Sequence, residues 1–200
     1  MVRYIADLHL YDPAITYWEA SPETRVERII ENWKRTVSDE DLTFILGDIG
    51  MQSQITFDNI KSLTGRKILV RGNHDDVHSW TPEWKSIFEG IYDYVLSNGV
   101  LLIHRPQDRL MFNLDIDVPP ANNYFVPKPE HIGKAEWVIH GHLHTLQAEE
   151  VAGDYIQYVH EVNRYNCAAD MIDFCPRNIL ELAYYKEQVI NTRKGDDYGN

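Results

Sequence analysis

Five short apolar runs in this chain each end on a side chain able to bind a metal ion or carry a proton. Val2-Arg3-Tyr4-Ile5-Ala6 leads to Asp7 and His9, and Leu42-Thr43-Phe44-Ile45-Leu46 leads through Gly47 to Asp48. Lys67-Ile68-Leu69-Val70 leads through Arg71-Gly72 to Asn73 and His74. Val100-Leu101-Leu102-Ile103 leads to His104, and Trp137-Val138-Ile139 leads to His140, His142 and His144. Runs of this length, rich in Val, Ile, Leu and Phe, read as strands buried on both faces of a sheet. Between them, Ser21-Pro22-Glu23 reads as an N-cap, a proline at the first helical position and an acid in the first turn. Val26, Ile29, Ile30, Trp33 and Val37 then repeat at helical spacing. A second helix is expected over 55–63. This alternation predicts an α/β domain with a largely parallel central sheet. Ligands of such sheets bind at the carboxyl ends of the strands, so the polar ends of the five runs are expected to converge.

A chain of 200 residues suits one domain. We take 1–190 as that domain and 191–200 as a polar, fraying tail. The net charge of −12 argues against a nucleic-acid partner, because phosphate backbones demand a basic surface. Bound metal ions, however, can invert the local field and let an acidic protein handle phosphate. No apolar run of signal-peptide length opens the chain, and none approaches the ~20 residues of a membrane span. Cys167 and Cys175 are too few for a disulfide framework and read as small buried hydrophobes. A cytoplasmic protein without a membrane partner is expected. Four prolines between 113 and 129 mark a long irregular loop. A further strand is expected over 155–159, and a closing helix or strand over 179–190.

Imidazole and carboxylate together suit Mn²⁺, Fe, Zn²⁺ and Ni²⁺. On an extended segment, Asp7-x-His9 and His142-x-His144 would each place two side chains on one side, since residues i and i+2 share a face. Asp48, Asn73 and His104 add three further ligands. Seven ligands are too many for one ion and suit two ions sharing a bridge, for which Asp48 is the natural carboxylate, one oxygen to each ion. Two ions ~3.5–4 Å apart can hold a hydroxide and clamp an in-line phosphoryl displacement. His78 and His160 compete with His104 as ligands, but neither directly follows an apolar run.

Asp7-Leu8-His9, Gly47-Asp48, Gly72-Asn73-His74-Asp75, His104 and Gly141-His142-Leu143-His144 stand in the order found in the calcineurin-like metallophosphoesterase superfamily. The chain resembles that family over residues 7–144. Ile68-Leu69-Val70-Arg71-Gly72-Asn73-His74-Asp75 looks most like its small bacterial and phage-type branch. After the first histidine the chain departs from that branch with Leu10-Tyr11-Asp12-Pro13. The resemblance implies a four-layer sandwich of two mixed β-sheets flanked by helices. It assigns Asp7, His9, Asp48 and His144 to one ion, and Asp48, Asn73, His104 and His142 to the other. It makes His74 the catalytic histidine, with Asp75 orienting its ring. The implied cofactors are two divalent ions, Mn²⁺ foremost, and the implied partner is a small phosphoric mono- or diester.

Other residues have plainer readings. Arg105 follows a ligand and suits a phosphate, while a surface or ion-paired arginine is the alternative. Arg71 reads as salt-bridged within the fold, and His131 and His140 as structural. The five tryptophans read as core, not as a base-stacking platform. Two further functions remain open: a catalytically silent metal-binding scaffold for protein recognition, which would be free to lose His74, and a nuclease, which needs a basic groove.

Overall fold

The computed structural model describes residues 1–13, 22–105, 134–144 and 163–196, and each of the five apolar runs is a strand in it. β1 (Val2–Ile5), β2 (Leu42–Ile45), β3 (Arg66–Val70) and β4 (Gly90–Tyr92) form one sheet in that order, every pair parallel. β5 (Val95–Ser97), β6 (Val100–Ile103), β7 (Trp137–His140) and β8 (Asn163–Asn166) form a second. There β5 runs antiparallel to β6, and the remaining pairs are parallel. The α/β class is as expected. Two four-stranded sheets, as the resemblance implies, stand in place of the single central sheet read from the runs; the second is mixed as expected, and the first is wholly parallel.

The strands are also less symmetrically buried than continuous apolar runs suggested. In β2, Thr43 and Ile45 are buried while Leu42 and Phe44 are only half-buried. Tyr4 and Phe44 stack with ring centres 5.9 Å apart on that outer face. On the inner face Ile5, Ile45 and Leu69 are register partners across three strands, and all three are fully buried. Burial of each contributes roughly 1.5–3 kcal/mol, and this row lies directly beneath the turns that carry the polar residues.

α1 (Pro22–Thr36) has the expected amphipathic face. Val26, Ile29 and Trp33 are buried, with Val37 just beyond its end, whereas Glu27, Glu31 and Lys34 are exposed. Its proposed cap, Ser21, lies outside the described residues. α2 (Gln54–Ser62) begins one residue before the expected start, because Ser53 caps it and its Oγ accepts from the Thr56 amide at 3.3 Å. α3 (Pro82–Lys85) is a single turn. α4 (Ile179–Asp196) decides for a helix over 179–190 and carries it into the segment read as tail. Trp33, Trp80 and Trp84 are core residues, and both cysteines are free and buried. Among the described residues, no helix is long and apolar enough to cross a membrane. The proline-rich stretch 113–129, the strand expected over 155–159, and Trp18, His131 and His160 lie outside the described residues.

The carboxyl ends of the two sheets are stitched together. The Ala6 amide donates to Cys167 O at 2.8 Å, and the Ala169 amide returns to Ala6 O at 2.9 Å. The Gly141 amide donates to His104 O at 2.9 Å, and Cys167 to His140 O at 2.7 Å. Residues just past β1, β2, β3, β6, β7 and β8 therefore face one another.

Candidate metal centre

The sequence suggested that Asp7 and His9, like His142 and His144, share a face through strand alternation. The backbone does something else. β1 stops at Ile5, and Asp7 (φ 53°), His9 (φ 44°), Asp48 (φ 53°) and His142 (φ 69°) all lie in the left-handed region. That conformation is costly for residues with a Cβ and persists only where surrounding contacts over-determine it. The two turns lie side by side: the Asp7 amide donates to Gly47 O at 2.9 Å, and the His9 amide to Asp48 O at 2.9 Å. Arg25, from α1 and 1% exposed, clamps the first turn. Its Nε donates to Leu8 O at 2.8 Å and its Nη2 to Asp7 O at 2.5 Å. Close approach requires glycine at two motif positions. A Cβ on Gly72 would overlap the Asp48 carboxylate and amide, and one on Gly141 would overlap Ala6 and the Asp7 carboxylate.

Two groups of ligand-type atoms result, Asp7 with His9 and His144, and Asp48 with His104 and His142; within each, the atoms lie within 4.8 Å of one another. Asp7 Oδ1 is 3.9 Å from His9 Nε2 and 3.6 Å from His144 Nε2. Asp48 Oδ2 is 3.2 Å from His104 Nε2 and 3.7 Å from His9 Nε2. One oxygen of Asp48 thus faces both groups, where the sequence had suggested one oxygen for each. Its Oδ1 is occupied, accepting from the His74 amide at 2.9 Å. Asn73 joins the second group, its Oδ1 lying 3.0 Å from His104 Nε2. All seven expected ligands converge.

The electrostatics fit a bound cation. Asp7 Oδ1 and His9 Nε2 are buried and have no hydrogen-bond partner, a rare and costly state for polar atoms. Burial, reinforced by the Asp48 charge against His104 and His144, pushes the Asp7 carboxyl up to about 6. Burial opposes ionisation of Asp48 too, but the charge and hydrogen bond of His104 outweigh it and hold Asp48 well below the usual carboxylate range. Burial pulls His104 down, yet the Asp48 charge and hydrogen bond lift it to about 9. Burial lowers His9 to about 4, and burial with the His104 charge lowers His142 to about 3. His9 and His142 are therefore neutral at pH 7, as metal ligation requires. His104, and His144, which against burial the Asp170 hydrogen bond and the Asp7 charge raise, would each give up a proton as an ion binds. The chain therefore carries His/Asp groups that could hold metal ions, with the imidazole, carboxylate and amide donors that suit borderline metals.

His74 is exposed at the edge of the centre, its ring 5.5 Å from that of His9. With Asp12, Gln52, Asp76, Trp80 and Trp84 it lines a cavity of about 120 Å³. Asp75 does not orient the His74 ring. Its buried carboxylate accepts from the amides of Asp48 (2.8 Å), Gly72 (2.8 Å) and Ile49 (3.1 Å), tying together the turns after β2 and β3. Adjacent residues of a turn point apart, which removes the partnership read from adjacency. Arg105 lies near the second group, where its charge helps lower His142.

Three contributors were missed. Asp12 Oδ2 is 3.0 Å from His9 Nδ1, Asp170 Oδ1 is 3.2 Å from His144 Nδ1, and Arg25 holds the first turn. Asp12 stands three residues after His9, a spacing that could have flagged it, whereas nothing local marks Asp170 or Arg25. His78 lies against Arg71, whose Nε donates to Asp93 at 2.8 Å, so Arg71 is salt-bridged as expected. His140 is a structural residue, fully buried with Nδ1 2.9 Å from Gly141 O.

Comparison with known proteins yields relatives without an assigned role. No family model matches the chain. It is 25% identical over 156 residues to the uncharacterized protein MJ1445 of Methanocaldococcus jannaschii, an alignment covering 74% of this chain and 72% of that one. It is also similar to the crystal structure of a protein of unknown function, AQ665, from Aquifex aeolicus, at a TM-score of 0.65 and 27% identity over 92% of this chain and 98% of that one.

Proposed function

We propose that the chain is a dinuclear metal-dependent phosphoesterase of the calcineurin-like type, acting on a small phosphoric mono- or diester. The observation that carries this reading is the shared Asp48 Oδ2, set between the Asp7–His9–His144 and His104–His142 groups. In this reading the two sheets are the inner layers of a four-layer sandwich flanked by helices. Asp7, His9, Asp48 and His144 hold one divalent ion, and Asp48, Asn73, His104 and His142 the other. Mn²⁺ is the first choice, with Fe, Zn²⁺ and Ni²⁺ suited to the same donors. Two bound ions supply Lewis acidity toward phosphoryl oxygens and a nucleophile at neutral pH.

The remaining work falls to the chain's own side chains. His74 is exposed beside the centre and delivers a proton to the departing alkoxide oxygen. The cavity it lines has room for the alcohol part of the ester. Asn73 and the Arg105 guanidinium bind the phosphate, a planar fork suiting its oxygens. The presence of His74 favours this over a silent scaffold, and the net charge of −12 disfavours a nuclease.

Chelation followed by removal of the chelator is expected to abolish hydrolysis of nitrophenyl phosphate mono- and diesters, and added Mn²⁺ to restore it. The sequence has no Gly-x-Ser-x-Gly, and both cysteines are buried, so the described residues offer no obvious covalent nucleophile to take over. Full activity in a sample shown to be metal-free would overturn the reading.

A further inference from the structure

The two ligand groups differ in what stands behind them. In the first, His9 and His144 each turn Nδ1 onto a carboxylate, Asp12 at 3.0 Å and Asp170 at 3.2 Å. In the second, His104 Nδ1 meets the neutral Leu46 carbonyl at 2.7 Å, and Asn73 contributes a neutral amide. A separate observation concerns the inner atoms. Asp7 Oδ1 and His9 Nε2 are buried without hydrogen-bond partners, so the first group is held open by contacts behind it. The second group is bonded to itself, with His104 Nε2 3.0 Å from Asn73 Oδ1 and 3.2 Å from Asp48 Oδ2.

We propose that Asp12 and Asp170 make the two ion sites unequal: the Asp7–His9–His144 site takes the first divalent ion tightly, and the Asn73–His104–His142 site takes the second more weakly. The inference rests on the two-ion reading above. A carboxylate on Nδ1 fixes the tautomer that presents Nε2 to the ion and raises the basicity of the imidazole. The first site gathers Asp7, Asp12, Asp170 and the shared Asp48, whereas Asp48 is the one carboxylate the second group contains. Arginine charges do not reverse this balance, because each site has one nearby: Arg25 acts on His9 and His144, and Arg105 on His142. In the first site Asp7 Oδ1 and His9 Nε2 have no hydrogen bond to give up when an ion enters, while the second must give up the contacts of His104 Nε2.

The test is titration of the metal-stripped full chain with Mn²⁺, following free Mn²⁺ by electron paramagnetic resonance. Two steps are expected, with Kd values about tenfold or more apart. Asp12→Asn and Asp170→Asn should each weaken the tight step about 10–100-fold, the usual effect of removing an outer partner, and leave the weak step in place. Asn73→Ala should weaken the weak step alone. Asp170→Glu, which keeps the carboxylate, should recover part of the tight step, a rescue that a general packing defect would not give. Thermal melting of each metal-free variant identifies any that fails to fold, and Asp12 and Asp170, on separate segments, give independent tests. Equal sites in the unaltered chain, or Asn variants that weaken both steps alike or neither, would overturn the inference while leaving the phosphoesterase reading standing. Unequal binding of two ions without hydrolysis of any phosphate ester would do the reverse.

Discussion

Replacing His74 with Ala is expected to lower kcat by about 10²–10⁴-fold, the contribution of a positioned general acid, while both ions stay bound. The separation follows from where the residue sits. Its side chain is exposed beside the cavity and belongs to neither ligand group, whereas its backbone amide holds Asp48 Oδ1 at 2.9 Å. Alanine keeps that amide, so the Asp48 carboxylate stays in position and, on the proposed reading, the proton transfer alone is removed. The loss should shrink for nitrophenolate, which departs without a proton, and be fullest for an alkyl phosphate. Metal content and kcat for two leaving groups of different pKa decide the matter. Loss of an ion on His74→Ala would make the histidine a ligand; unchanged kcat on both substrates would make it structural.

The parts of this centre that were legible in the sequence were those set by local chemistry. An apolar run must be buried, and a polar residue at its end must sit where the strand leaves the core. Asp7, Asp48, Asn73, His104 and His142 were therefore readable from position alone. The short strands were not: Gly90-Ile91-Tyr92 is too brief to register as a run, and Asn163-Arg164-Tyr165-Asn166 is too polar. The first of these closes the edge of the first sheet beside β3, and the second completes the edge of the other sheet beside β7. The runs alone read as one central sheet, and the division into two was legible only through the resemblance. The left-handed turns were equally hidden, because Asp7, His9 and Asp48 adopt positive φ only when tertiary contacts hold them there. One such contact comes from Arg25, which lies on a helix whose sequence announces only an amphipathic face. The residues behind the histidines followed the same rule. Asp12 is local to His9, but Asp170 reaches His144 across 26 residues and needed the fold.

Asp75 offers the sharpest contrast between adjacency and geometry, and its replacement by Ala is expected to unfold the protein more readily by about 3–5 kcal/mol. The carboxylate accepts from the amides of Asp48, Gly72 and Ile49, all buried. Each donor left without a partner costs roughly 1–3 kcal/mol, and three donors on two turns would lose theirs together. Removing a carboxylate whose charge burial disfavours offsets part of that loss and keeps the total near the lower end. In a domain of this size, about 2–4 °C of Tm is lost per kcal/mol, so a fall of roughly 6–20 °C is expected in the metal-free chain. Asp75→Asn should also destabilise, because its NH₂ group would face amide donors that need an acceptor. Were Asp75 instead the partner of the His74 ring, Asp75→Asn would melt like the unaltered protein and lose kcat mainly on poor leaving groups. Thermal melts and the two-substrate comparison on the same variant therefore separate a residue that holds the turns from one that orients the acid. A normal Tm joined to a leaving-group-dependent loss of kcat would return Asp75 to the catalytic dyad.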